Sequence, residues 1–148
     1  MNITFYGLTA RQKIWVKQAA PKLGARFKTG SVSLDNLPSA ATQILSIHTE
    51  SHITPAVLAG LPNLTLIITR TAGVDHIDLA ACRRAKVAVA NCAGLNATAV
   101  AEFAMGLLLS YSRRLPAALE HGRSLQFGSD QMTGLELAGK TLGVVGTG

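Results

Sequence analysis

Apolar positions along this chain come in short runs separated by helical patterns. Ile3–Tyr6 reads as a strand, and Arg11–Leu23 reads as a basic helix opened by the capping-box pattern Thr9-Ala-Arg-Gln12. One strand is expected near Ala25–Lys28, followed by loop to about Pro38, the least patterned stretch. Ile44-Leu-Ser-Ile47 is a clear strand. Thr54-Pro55 sets a good N-cap before a proline at the first helical position, so a helix should run to about Leu58. Leu64-Thr-Leu-Ile-Ile-Thr69 is nearly continuous in apolar residues, as a parallel strand covered on both faces requires. Asp75-His-Ile-Asp78 looks like the cap of a helix through Arg84, and Val87-Ala-Val-Ala90 is another short strand. Strand and helix in alternation predict an α/β fold, a parallel sheet with helices on both faces.

The pattern changes after Ala97. From Thr98 to Arg114, Val100, Phe103, Ala104, Leu107, Leu108 and Tyr111 follow helical spacing, while Ala101, Met105 and Leu109 fill much of the opposite side. A helix apolar nearly all round must be buried nearly all round. A small domain ending near Ala97 offers it one face, so a second domain or a second subunit is expected to cover the other. Gly139-Lys140 then leads into Thr141-Leu-Gly-Val-Val145, a strand pattern, and the sequence closes on Gly146-Thr-Gly148.

A length of 148 residues fits one domain plus a fragment, or one large domain. Hydrophobic residues at 48% and charged residues at 15% exclude a disordered or coiled-coil chain. Cys82 and Cys92 fit neither a metal spacing nor a disulfide framework, which predicts a reduced, cytoplasmic protein. Met1-Asn-Ile-Thr-Phe-Tyr6 lacks the basic start and apolar core of a signal peptide. The most apolar stretch, Ala97 to Leu109, is interrupted by Glu102 and is shorter than the ~18 residues of a membrane span, so no membrane partner is expected. The net charge of +6 raises the question of nucleic acid. The basic residues are scattered, however, with no aromatic stacking partners between them. They read as a solvated surface mildly attractive to anionic substrates, and no nucleic-acid partner is expected.

Ligands of open parallel sheets bind at the carboxyl ends of the strands. Four segments should converge there: Gly7–Thr9, His48–Ser51, Arg70–Asp75 and Asn91–Asn96. Thr71-Ala-Gly-Val-Asp75 leaves a strand and enters a helix, and Gly73 lets the backbone approach a ligand closely. Backbone amides in such a loop can hold a carboxylate without a charged side chain. The same residues also suit a tight strand-to-helix turn with no ligand at all.

Three ordered blocks then carry a resemblance: Leu64-Thr-Leu-Ile-Ile-Thr-Arg-Thr-Ala-Gly-Val-Asp-His-Ile-Asp78, Val89-Ala-Asn-Cys-Ala-Gly-Leu-Asn-Ala-Thr-Ala-Val-Ala-Glu102 and Leu137-Ala-Gly-Lys-Thr-Leu-Gly-Val-Val-Gly-Thr-Gly148. Together they resemble the D-isomer-specific 2-hydroxyacid dehydrogenases, from about Leu61 onward; residues 1–60 agree only in pattern. The resemblance implies residues 1–97 as a flavodoxin-like substrate domain and 98–122 as a crossover helix that also lies at a homodimer interface. It implies 123–148 as the start of a Rossmann domain for NAD, incomplete here, with Leu142–Val145 its first strand.

Carried over by position, Ala72 and Gly73 resemble the loop whose amides hold the substrate carboxylate, and Ala72 can also lie near the nicotinamide. Asn96 resembles a polar residue facing the substrate, although a helix N-cap would use the same side chain. Val100 and Ala101 resemble nicotinamide-pocket positions, with core packing the plainer alternative. His48 falls where some relatives place a basic substrate contact, and an exposed strand-end histidine is the plainer alternative. Gly146 and Gly148 supply two glycines of the dinucleotide fingerprint, without its third glycine, the following helix or the ribose-binding acid. Phe103 departs from the histidine frequent after the Ala-Glu pair. The family's catalytic arginine, histidine and glutamate lie after the fingerprint and have no counterpart in these residues. The expectation is therefore the N-terminal part of an enzyme that interconverts small 2-oxo and 2-hydroxy acids, with these residues alone inactive and binding NAD poorly. The alternative is a stand-alone module that binds carboxylates or docks with a full-length relative.

Overall fold

The computed structural model describes residues 1–125 and 132–146, which fall into two units, Met1–Leu95 and Asn96–Gly148. The first unit runs β1 (Ile3–Tyr6), α1 (Ala10–Ala19), β2 (Arg26–Lys28), a 3-10 turn (Leu34–Asn36), β3 (Ile44–Ile47), α2 (Pro55–Ala59), β4 (Leu66–Thr69), α3 (Leu79–Arg84) and β5 (Ala88–Ala90). Every strand pairing is parallel and the order is β2-β1-β3-β4-β5. This is the flavodoxin-like order.

The apolar runs form the strands because both faces of β3 and β4 are covered. Leu45, Ile47 and Ile67 are fully buried. Right-handed crossovers send α1 to one face and α2 and α3 to the other. On the second face Val57, Leu58, Ala81 and Cys82 pack with Ile53, Leu61 and Ile77 into the main core. The first face is thinner. α1 buries no residue and leaves Ile14 and Trp15 half-exposed, while Phe5 and Phe27 stack at 5.7 Å with the Lys17 ammonium above the Phe27 ring.

Caps set the helix starts as read from the sequence. Thr9 and Gln12 form the capping box, Thr54 accepts from Val57 N–H, and Asp78 accepts from Ala81 N–H at 2.7 Å. α1 is shorter than expected, because Pro21 keeps the preceding residue out of the helical region and Ala20 turns to φ −143°. β4 begins two residues late, at Leu66, whose N–H makes the first regular ladder bond to the Gln43 carbonyl while Thr65 N–H shares the same acceptor.

The second unit holds α4 (Ala97–Ser112) and α5 (Leu115–Arg123), where the resemblance implied one crossover helix over 98–122. The break falls at Arg114, whose φ of 50° is left-handed. Segment 133–135 lies against the end of α4, where Leu135 N–H donates to the Ser112 carbonyl. Gly134 is required there, since a Cβ would sit 2.5 Å from that carbonyl oxygen. The expected strand at Leu142–Val145 does not form: the segment pairs with no described strand and Val145 is fully exposed. A strand exists only through its neighbour's hydrogen bonds, and no described strand supplies them here. On α4, Val100, Phe103, Leu107 and Tyr111 remain exposed.

Candidate functional site

Parallel pairing brings the carboxyl ends of the strands to one edge, and the order reverses direction between β1 and β3, where such sheets leave a crevice. Arg70, the residue after β4, reaches into that crevice. Its Nη1 donates to Ser46 Oγ at 2.9 Å and its Nη2 to the Tyr6 carbonyl at 2.6 Å, tying the end of β4 to β3 and β1. Burial holds the guanidinium pKa below its ordinary value, with nearby Cys92 opposing the shift. A cavity of about 220 Å³ opens beside it, lined by Tyr6, Gly7, Gln12, Ser31, His48 and Arg70 among others. His48, the residue after β3, pairs its Nδ1 with Thr49 Oγ1 at 3.0 Å.

The loop after β4 is held carbonyl by carbonyl. The Thr71 carbonyl accepts from Cys92 N–H at 2.9 Å, the Ala72 carbonyl from Asn91 Nδ2 at 2.7 Å, and the Gly73 carbonyl from Thr71 Oγ1 at 2.7 Å. In a trans peptide the C=O and the following N–H point in opposite directions. The N–H groups of Ala72, Gly73 and Val74 therefore face away from the groups that hold their peptide units. Among the described residues none of the three donates to a protein acceptor. Gly73 is not in the left-handed region. A Cβ there would meet only the Asp75 carboxylate, at 3.3 Å, so the glycine keeps the row open without being demanded by backbone strain.

His76 completes the loop, its Nε2 2.9 Å from Thr69 Oγ1, which in turn lies 2.7 Å from Thr71 Oγ1. Its pKa is pushed below the ordinary imidazole value, first by burial and then by His52 and His48, with Asp75 opposing.

Of the residues singled out from the sequence, the structure places His48, Ala72 and Gly73 together at the carboxyl edge of the first unit. The others belong to the second unit. Asn96 precedes α4 but makes no side-chain cap bond: its ψ of 12°, against 163° at Thr9, turns the side chain away from the amides it would cap. The N-cap reading is thereby corrected. Val100 and Ala101 sit exposed near the start of α4. Gly146 adopts a positive φ of 84° in open space, and Gly148 lies outside the described residues. Sequence reasoning pointed to the segments containing Arg70 and Asn91 but not to these side chains, and it read His76 only as part of a helix cap. A charged residue closing an apolar strand and an amide directly after the next strand were the available signals.

The family model for D-isomer specific 2-hydroxyacid dehydrogenase, catalytic domain, matches residues 25–143. A glyoxylate/hydroxypyruvate reductase of Arabidopsis thaliana is 36% identical over 129 residues, covering 81% of this chain and 40% of that protein. An aromatic 2-oxoacid reductase of Clostridium sporogenes is 42% identical over 82 residues, covering 55% of this chain and 25% of its own length. Among solved structures, the D-lactate dehydrogenase of Aquifex aeolicus complexed with NAD and lactic acid superposes with a TM-score of 0.82 over 92% of this chain and 41% of its own, at 23% identity. The chain thus spans less than half the length of these relatives. With its parallel sheet in the 2-1-3-4-5 order and a family match over most of its length, this chain belongs to the D-isomer specific 2-hydroxyacid dehydrogenases.

Proposed function

We propose that these residues are the substrate-holding part of an NAD-dependent oxidoreductase that interconverts a small 2-oxo acid and its 2-hydroxy acid. The observation that carries this reading is the row of N–H groups at Ala72, Gly73 and Val74, which face away from the groups holding their peptide units and donate to no described acceptor, a set of donors suited to a carboxylate. The names of the similar proteins support the substrate class. His48, at the same carboxyl edge, is proposed to face the remainder of the substrate.

NAD supplies or receives the hydride when bound. The residues present fit part of its site: Gly146 has the positive φ that a phosphate-approaching loop uses, and Val100 and Ala101 offer small exposed apolar surface. They are the positions proposed to meet it. Residues 1–148 alone are proposed to hold the acid without turning it over, because none of them matches the family's catalytic arginine, histidine and glutamate. The free thiols of Cys82 and Cys92 favour a reducing, cytoplasmic setting, and the exposed apolar residues of α4 favour a homodimer of the complete protein.

Amide spectra of the 148-residue chain titrated with pyruvate test the carboxylate site. The expected result is saturable shifts centred on Ala72, Gly73 and Val74, absent with methyl pyruvate, whose carboxylate is blocked. Shifts elsewhere, an equal response to the ester, or NADH oxidation by these residues alone would overturn the reading.

A further inference from the structure

The side chains holding the end of the amide row form a chain whose direction follows from counting protons. Thr71 Oγ1 lies 2.7 Å from the Gly73 carbonyl, which can only accept, so the single Thr71 hydroxyl proton points there. Thr71 must then accept from Thr69 Oγ1, 2.7 Å away. That commits the single Thr69 proton. Thr69 in turn accepts from His76 Nε2 at 2.9 Å, which requires His76 to carry a proton on Nε2. The order is His76 Nε2–H to Thr69, Thr69 to Thr71, and Thr71 to the Gly73 carbonyl. Thr69 is fully buried, so water does not readily replace the histidine as its donor.

We propose that His76 is a positioning residue for the carboxylate site, acting through Thr69 and Thr71 to fix the Gly73–Val74 peptide and aim the Val74 N–H outward. This rests on the carboxylate reading of the loop. The chain of bonds also gives the amide more than an orientation. Each bond polarises the next, and the pull on the Gly73 carbonyl leaves the Val74 N–H on the same peptide more positive. His76 is committed as a donor to Thr69 through Nε2, so that nitrogen is not the group that exchanges a proton with substrate. Both the neutral Nε2–H ring and the imidazolium carry the required proton, so the chain survives titration of the ring.

The backbone around His76 does not need the side chain. Ile53 N–H donates to the His76 carbonyl and Asp78 N–H to the Ile53 carbonyl, each at 2.9 Å, and Ile77 N–H closes the turn on the Val74 carbonyl. Substitutions at His76 should therefore leave the sheet intact, and the amide spectrum of β3 and β4 verifies this. His76→Gln keeps a donor at about the reach of Nε2, His76→Phe removes it, and Thr71→Val cuts the chain one step later.

In the ligand-free chain, nitrogen-detected spectra of His76 should show the neutral ring protonated on Nε2. The Val74 amide should shift in His76→Phe and Thr71→Val but hold its place in His76→Gln. Pyruvate should bind roughly fivefold more weakly to the first two variants, with His76→Gln restored to within about twofold of the parent. A neutral ring protonated on Nδ1, full affinity in His76→Phe, or no rescue by His76→Gln would overturn the proposal. If the parent chain itself fails to bind pyruvate, the carboxylate reading falls, while the tautomer and the Val74 shift still decide the chain of bonds.

Discussion

Tyr6 joins the core to the site at the scale of one residue. Its ring is buried, its hydroxyl donates to the Asn36 carbonyl at 2.6 Å, and its own carbonyl receives Arg70. Burial pushes the phenol pKa up to about 12, so the folded chain keeps the proton after the unfolded chain, at about 10, has begun to lose it. The unfolded state then binds fewer protons, and stability falls as pH rises between those two values. Tyr6→Phe should remove that part of the alkaline loss while lowering stability near neutrality by about 1 kcal/mol through the missing hydroxyl bond. Urea unfolding of both proteins across that pH range checks it, and parallel alkaline slopes would refute it.

Among the elements, the short helices depend on their first residues. α3 has only six residues and begins at Asp78, whose carboxylate accepts from Ala81 N–H. Asp78→Ala should lower stability by about 1 kcal/mol in denaturant unfolding; Asp78→Asn, which keeps an acceptor, should cost less. These starts were legible in the sequence because a cap and its partner lie three residues apart. β1 and β3 were legible to the residue because an apolar run bounded by polar residues has one sensible pairing. What the sequence hid was long-range or negative. Nothing local announces that Arg114 turns left-handed and begins α5. The loop at Ala72–Gly73 could be seen as glycine-bearing, but the bonds that orient it come from Asn91 and Cys92, brought beside it by the pairing of β4 with β5. At Asn96 the residue type suggested a cap as one of two readings, and its ψ does not permit that side-chain bond.

At the scale of the whole molecule, the apolar surface is unevenly covered. The core between the sheet and α2 and α3 is closed, whereas Phe103 and Tyr111 on α4 are 68% and 85% exposed and Leu95 is 83% exposed. A chain displaying that much apolar surface should self-associate as its concentration rises. Sedimentation velocity over a hundredfold concentration range should show this, and a constant monomer would contradict it. The pinned loop has a different consequence, for inheritance. Its donors are main-chain groups, so most side-chain replacements at Ala72 or Val74 leave them in place, proline excepted. Such replacements can reshape only the walls beside the anion. A lineage built on this sheet can change which acid tail it tolerates, one residue at a time, without losing its hold on the acid's head.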